Sequence, residues 1–158
     1  MSNLVLVPMT SERYEMWVLE QIEDYAADKI KAGIWPEWDA RERSAAEMAQ
    51  NLPDGVTTAD HHLFVATVDG EEIGNVWLWA DPASDGREVF IYNIEVYEPY
   101  RGRGLGRQLL RAAQQWAVDR GVESVRLNVF THNSTAYRLY ESEGYRTTNR
   151  NMVKRVTS

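Results

Sequence analysis

The spacing of apolar residues predicts that strands and helices alternate along the chain. From Ser11 to about Lys31, apolar residues recur near the helical period of about 3.6 residues, and Gly33 ends the pattern. From Val122 to Phe130, apolar and polar residues alternate instead, as in a half-buried strand. By the same criteria, strands are predicted over 4–7, 62–68, 72–80, 88–97 and 122–130, and helices over 11–31, 36–52 (or 39–52), 104–121 and 133–144.

Turn and capping residues indicate how these elements connect. Asp69-Gly70 lies between two strand-like runs and predicts a tight hairpin. Gly121 suits the position just after the third helix, and Asn133 can cap the fourth. Residues 145–156 have room for one or two closing strands. The predicted order is β-α-α-β-β-β-α-β-α-β(-β), a mixed α/β fold with a βαβ unit at its centre.

Composition is that of an ordinary globular domain. The chain has 158 residues, of which 44% are apolar and 26% charged, and we expect one domain over residues 1–158. No stretch reaches the roughly 18 uncharged apolar residues of a membrane helix. Residues 1–10 lack the basic start and apolar core of a signal peptide. We therefore expect a cytoplasmic protein with no membrane partner.

Cysteine and histidine usage narrows the possible chemistry. The chain has no cysteine, which excludes disulfides, thiolate metal sites and a covalent mechanism through an enzyme thiol. Its histidines are His61, His62 and His132, and none lies four residues from another, as helical metal ligands do. We expect no metal, and surface or hydrogen-bonded roles for all three.

Charge is divided unevenly along the chain. Residues 1–100 hold 20 acidic and 6 basic residues, a net charge of −14, whereas residues 101–158 have a net charge of +7. The basic part suits a polyphosphate ligand, and the overall charge of −7 argues against a nucleic-acid partner. The acidic part suits a cationic partner, although acidic surfaces are as often merely solvated.

The run Arg101-Gly102-Arg103-Gly104-Leu105-Gly106 separates a predicted strand from a predicted helix. Backbone N–H groups converge at a helix N-terminus, where glycine lets the main chain approach an anion closely. Arginines add charge-assisted donors. The glycine spacing G-x-G-x-G differs from the dinucleotide fingerprint G-x-G-x-x-G, and no G-x-x-x-x-G-K-S/T occurs. Alone, such a run is more often an ordinary solvated loop.

Residues 91–145 resemble motifs A and B of the GNAT superfamily of acyl-CoA-dependent N-acetyltransferases. The run over 101–106 fits the phosphate loop R/Q-x-x-G-x-G/A of that family, and residues 93–96 look like its bulged strand. Residues 133–145 fit its second motif, N-x-x-A-x-x-L-Y-x-x-x-G-F/Y. The resemblance implies a mostly antiparallel twisted sheet flanked by helices. It also implies direct acetyl transfer from acetyl-CoA to an amine, through a sequential mechanism without a covalent enzyme intermediate.

The resemblance assigns cofactor contacts residue by residue. Backbone amides from Gly102 to Arg107 would hold the pyrophosphate, Ile94 and Val96 the pantetheine arm, and the Val96 N–H the thioester carbonyl. Asn133 would also contact the cofactor arm. The implied cofactor-binding set is therefore Ile94, Val96, Arg101, Gly102, Arg103, Gly104, Leu105, Gly106, Arg107 and Asn133.

The resemblance also implies two proton-handling groups. Tyr140 occupies the position from which the family protonates the departing thiolate, the other interpretation being a packing role. Some members place a glutamate where this chain has Asn128. Glu95 is accordingly the first candidate for the base, and a water held by Glu95 and Asn128 is the second. A merely solvated Glu95 is about equally compatible with the sequence.

The acceptor stays open at this point. In the resembling family the N-terminal helices shape the acceptor site, which corresponds here to residues 25–47. Trp35 and Trp38 suit either a cationic amine or helix packing. The acceptor is expected to be a cationic amine: a small molecule, an antibiotic, an amino acid or a protein terminus. A non-catalytic acyl-CoA-binding sensor module is the alternative function, and either a monomer or a homodimer is compatible with the sequence.

Overall fold

The computed structural model describes residues 3–157. Within them lie five strands and four helices, in an order that confirms the mixed α/β class predicted from the sequence. The elements are β1 (Leu4–Pro8), α1 (Ser11–Lys31), α2 (Ala40–Asn51), β2 (His61–Val68), β3 (Glu71–Ala80), β4 (Glu88–Val96), α3 (Leu105–Val118), β5 (Ser124–Leu127) and α4 (Ser134–Ser142). Among the described residues, no helix is both long and apolar enough to cross a membrane.

The strands form one mostly antiparallel sheet in the order β1-β2-β3-β4-β5. The first three pairings are antiparallel, and the hairpin predicted at Asp69-Gly70 joins β2 to β3. β4 and β5 are parallel, so α3 is the crossover of the predicted βαβ unit. Residues 145–157 form no helix or strand, and the closing strand expected over 145–156 is not part of the described structure. Apolar residues of this segment, such as Met152 at 93% exposure, are not buried against a sheet, so pairing as an extra strand would lack the packing that stabilises one.

The chain divides into two compact units. The first contains residues up to Glu15 together with Leu52–Asn128, and holds the whole sheet and α3. The second contains Met16–Asn51 and the residues from Val129 onward, and holds most of α1 together with α2 and α4. In the second unit, Ala26, Trp35 and Ala40 form a buried cluster against which Tyr25 and Ile30 pack.

In the first unit, the two faces of the sheet carry different side chains. His62 and Phe64 of β2 contact the ring of Trp116 on α3, with ring centroids 4.8 and 6.0 Å apart. Their cross-strand partners on β3 are Leu78 and Val76. α3 therefore covers this face, and the buried stripe of the helix consists of Leu109, Leu110, Ala113 and Ala117. Asn75 and Trp77 alternate with these positions on β3 and face the opposite way.

At Gly74 of β3, the backbone of β4 leaves no room for a side chain. A Cβ at this position would lie 2.1 Å from the Glu95 carbonyl oxygen, closer than any side chain tolerates. Glycine is thus required here by the neighbouring backbone rather than by an unusual φ.

Gly74→Ala should therefore destabilise the protein strongly. The clashing neighbour is strand backbone and cannot rotate away, so we expect the free energy of unfolding to fall by about 3 kcal/mol, the upper part of the overpacking range. Gly70→Ala is the control, because Gly70 has φ +81 and nothing within 4 Å of a Cβ. This substitution should lower the free energy of unfolding by only about 1 kcal/mol, because an alanine at positive φ strains the backbone. Urea denaturation measures both, and equal losses would contradict the close approach.

Candidate functional site

The glycine-rich run forms an exposed loop between β4 and α3. After β4, a 3-10 turn over Glu98–Tyr100 leads into the loop, and α3 begins at Leu105 with Gly104 as its N-cap. Gly102 and Gly104 have φ of 80 and 78, a region that favours glycine. The first N–H groups of a helix have no intrahelical acceptor, and Gly104 has no side chain to cap them. The loop therefore has the features of an anion site.

Two of the three predicted arginines brace this loop. The Arg101 Nε donates a hydrogen bond to the Val96 carbonyl at 2.8 Å. The Arg103 guanidinium lies 5.9 Å from the Tyr100 ring and donates to the Pro99 carbonyl at 3.4 Å. Each guanidinium has several N–H donors, so these contacts leave capacity for an anion. Arg101 thus ties the loop to the end of β4, and Arg103 ties it to the turn over Glu98–Tyr100.

β4 contains one extra residue relative to β3. Trp77 pairs with Asn93 and Leu78 pairs with Ile91, so Tyr92 forms a bulge directly before the segment likened to the bulged strand. β5 pairs only with residues 88–91 of β4. Within residues 3–157, the segment 93–96, which includes Ile94 and Val96, therefore pairs with β3 on one edge and with no strand on the other.

Glu95, the first candidate for the base, lies on the sheet face away from α3. Its cross-strand partner is Asn75, and Asn93 two residues earlier is opposite Trp77. Because directly paired residues project to the same face, Asn93 and Glu95 lie side by side on that face. Both are partly buried. The structure thus brings Glu95 beside a group of polar residues that the sequence did not single out.

That group is a continuous chain of hydrogen bonds. The Arg13 guanidinium pairs with the Glu72 carboxylate at 3.0 Å and donates to the Tyr97 hydroxyl at 3.0 Å. Tyr97 donates to Glu72 at 2.6 Å and accepts from the Asn75 Nδ2 at 3.2 Å. The Asn93 Nδ2 donates to the Asn75 Oδ1 at 3.0 Å. Burial, reinforced by the bond to Glu72, raises the pKa of Tyr97 to about 12, so Tyr97 stays a donor at neutral pH.

An aromatic cluster continues on the same sheet face beyond Asn93. The rings of Tyr92 and Trp77 stack with centroids 4.4 Å apart. The Trp77 Nε1 donates to the His61 Nδ1 at 2.9 Å, which leaves the neutral imidazole protonated at Nε2. Burial lowers the pKa of His61, which favours the same neutral form.

The other two histidines also have partners within their own units. His62 packs on Trp116, and the His132 Nε2 lies 2.8 Å from the Asp28 carboxylate. His132 thus has the hydrogen-bonded role expected for it, whereas His62 is a partly buried packing residue. No group of three or more metal-ligating side chains occurs within residues 3–157.

α4 carries the remaining predicted site residues. The Asn133 Oδ1 accepts from the Ala136 N–H at 3.4 Å, which confirms the predicted cap and leaves the Nδ2 group for any cofactor contact. Tyr140 is half-buried, and burial raises its pKa, so the phenol is protonated at neutral pH. Its ring lies 5.8 Å from that of Tyr145. Tyr137 is 38% exposed and shares a hydrogen bond with Thr147.

The two tryptophans of the candidate acceptor region have different surroundings. Trp35 is 8% exposed and packs edge-on against Tyr25, with ring centroids 5.6 Å apart. The Lys29 ammonium lies 5.1 Å from the Trp35 ring, so this ring already has a cation from its own chain. Trp38 is 82% exposed. Trp35 thus has the packing role, which was one of the two interpretations of the sequence.

Comparison with known proteins gives matches over nearly the whole chain. The profile described as Acetyltransferase (GNAT) family matches residues 18–145. The chain is similar to N-acetyltransferase YycN of Bacillus subtilis (strain 168), with 37% identity over 98% of this chain and 99% of that protein. It is also similar to N-acetyltransferase YdgE of the same organism, with 36% identity over 96% of this chain and 97% of that protein.

Solved structures agree with these sequence matches. The crystal structure of the acetyltransferase YycN from Bacillus subtilis has a TM-score of 0.94 at 36% identity and covers 99% of this chain and 100% of that chain. The aminoglycoside N-acetyltransferase AAC(6')-Iy, solved in complex with CoA, has a TM-score of 0.62 at 20% identity, covering 98% of this chain and 95% of that chain. At that identity the second match concerns the fold alone.

Proposed function

The chain belongs to the Acetyltransferase (GNAT) family, and from that premise we propose that it transfers the acetyl group of acetyl-CoA directly to an amine. The observation that carries the proposal is the exposed, glycine-capped N-terminus of α3 beside the open edge of β4 at 93–96. The first suits a pyrophosphate, and the second suits an extended pantetheine arm that pairs like an added strand. The family match over residues 18–145 supports one acetyltransferase domain over 1–158.

The cofactor contacts follow from these two features. Backbone amides from Gly102 to Arg107 hold the pyrophosphate, with the arginines adding positive charge. The backbone of Ile94 and Val96 aligns the pantetheine arm, and the Val96 N–H stabilises the negative charge that develops on the thioester oxygen. Gly102 and Gly104 suit this role because nothing lies within 4 Å of a Cβ built on either, which leaves space for phosphate oxygens.

Gly104→Asp should abolish acetyl-CoA binding, because it places a Cβ and a carboxylate where phosphate oxygens belong. Gly121→Asp is the matched control: Gly121 follows the other end of α3, with φ +75 against +78 at Gly104 and the same open space. It should cost similar stability yet keep wild-type affinity. Calorimetry measures acetyl-CoA binding, with NAD as a ligand expected not to bind. Equal affinity in folded wild type and Gly104→Asp would remove the cofactor assignment.

Acetyl transfer requires two proton movements. The amine nitrogen forms a bond to the acetyl carbon while the carbon–sulfur bond breaks, so the nitrogen must lose one proton and the sulfur must gain one. We assign the donor to Tyr140 by the resemblance of α4 to the second motif of the family, and its protonated state at neutral pH suits that role. The proton from nitrogen goes to Glu95, or to a water held by Glu95 and Asn128.

Tyr140→Phe should lower kcat by about 10²–10⁴-fold while acetyl-CoA affinity stays within a few-fold, since only the proton donor is lost. Tyr137→Phe, on the same helix, removes only the hydroxyl contact to Thr147 and should be nearly silent. Steady-state kinetics measures kcat, and the absence of a product burst in a pre-steady-state experiment establishes that no step after chemistry limits the rate. If both variants then keep wild-type kcat, another group protonates the thiolate.

The acceptor is proposed to be a primary amine that is cationic when free. The net charge of −14 over residues 1–100 favours such a molecule. Turnover should rise as pH approaches the pKa of the amine, since only the neutral amine attacks. Release of free CoA with alkylamines, polyamines, aminoglycosides and peptide amino termini tests this. Turnover confined to neutral or anionic acceptors would refute the charge argument, and binding of acetyl-CoA without any turnover would favour the sensor-module alternative.

A further inference from the structure

The hydrogen-bond chain on β3 and β4 has only one possible direction. The Glu72 carboxylate, paired with Arg13, can only accept, so the Tyr97 hydroxyl must donate to it. The Tyr97 oxygen then accepts from Arg13 and from the amide nitrogen of Asn75. With its nitrogen committed to Tyr97, Asn75 presents its oxygen to the Nδ2 group of Asn93. The order of donors and acceptors at Glu72 thereby determines the orientation of both asparagine amides.

Because Asn75 is buried, the donor–acceptor direction of these hydrogen bonds cannot reverse. Asn75 is 0% exposed, so no water is available to satisfy its amide after a flip. A flipped Asn75 would place its oxygen against the Tyr97 oxygen and its nitrogen against the Asn93 nitrogen. Unsatisfied buried polar groups are strongly disfavoured, so Asn93 is held with its nitrogen inward. Its Oδ1, which has no hydrogen-bond partner within residues 3–157, is the acceptor at the end of the chain.

Asn93, which carries this hydrogen-bond acceptor, lies beside Glu95, the proposed base. Asn93 and Glu95 are two residues apart on one face of β4, a separation of about 7 Å along a strand. An amine nitrogen between them is within reach of hydrogen bonds to both side chains. The segment that carries both residues has its other edge without a strand partner in the described part of the chain, where the thioester is proposed to bind.

We propose that the Asn93 Oδ1 binds one N–H of the acceptor amine, and that Arg13, Glu72, Tyr97 and Asn75 are positioning residues that hold this oxygen in place. The inference rests on the proposed acetyl transfer and adds to it a residue that binds the acceptor and the physical reason for a preference for primary amines. A neutral primary amine has two N–H groups, one for Asn93 and one for the base. A secondary amine has a single N–H and cannot satisfy both, so primary amines are selected.

The test uses the primary amine with the highest kcat/KM in the panel, together with its N-methyl derivative. Asn93→Ala should lower kcat/KM for the primary amine about three- to tenfold, the loss typical of one hydrogen bond between neutral groups. The change should appear mainly in KM for the amine, and the preference over the N-methyl derivative should shrink. Acetyl-CoA affinity, measured by calorimetry, should stay within about twofold, because the Asn93 side chain is proposed to contact the amine and not the cofactor.

A double-mutant cycle separates positioning from general support of the fold. Tyr97→Phe removes the hydroxyl that orients Asn75 and should raise KM for the amine about threefold or more on its own, yet have no further effect in the Asn93→Ala background. Tyr100→Phe is the matched control, because it also removes a tyrosine–glutamate hydrogen bond. That bond, from Tyr100 to Glu71, is not part of the hydrogen-bond chain that ends at Asn93. The control variant should leave KM for the amine unchanged.

The outcomes distinguish this inference from the proposed function. If wild type acetylates amines but Asn93→Ala keeps its KM and its preference for the primary amine, the role of Asn93 is refuted and acetyl transfer stands. If Tyr97→Phe is as damaging in the Asn93→Ala background as in wild type, the positioning chain is refuted. If wild type binds acetyl-CoA but acetylates no amine, the proposed function fails, and the acceptor role of Asn93 fails with it.

Discussion

The extra residue Tyr92 in β4 is the constraint on which the candidate site depends. The bulge shifts the register, so that Tyr92 stacks on Trp77 while Asn93 on the same face reaches Asn75. It also marks the point where pairing with β5 stops, at Ile91. A regular strand would send Tyr92 and Asn93 to opposite faces. The inserted residue therefore brings Asn93 to the same face as Tyr92, beside the point where the open backbone edge of β4 begins.

The buried hydrogen-bond chain on the sheet is better explained by the orientation it gives to Asn93 than by a gain in stability. Removing water from Asn75 and Tyr97 costs free energy that their hydrogen bonds only partly recover, so an apolar pair of similar size would stabilise the sheet as well. An apolar pair, however, has no donor–acceptor direction. The chain that begins at the Arg13–Glu72 pair transmits such a direction across two strands to Asn93. This property is useful to a site that must present one oxygen in a defined orientation.

Much of the proposed cofactor site is local in sequence, so its local structure was predictable. The loop over 101–106, the start of α3 and the Asn133 cap on Ala136 each involve residues within about four positions of one another. The two-motif resemblance added the family. The role of Trp35 was less accessible, because helix packing and cation binding select the same aromatic side chain. Only its burial, with Lys29 over the ring, separates the two.

The sequence by itself determined the element order, the hairpin at Asp69-Gly70, the glycine-capped helix and the absence of a cysteine nucleophile. These depend on periodicity, turn residues and residue type, which act over a few neighbouring positions. Only the tertiary structure decided the bulge at Tyr92, the unformed closing strand and the polar chain. The contacts of that chain join residues 84, 59, 25, 22 and 18 positions apart. Which polar groups meet at such separations is set by strand register and burial, and no short stretch of sequence encodes either.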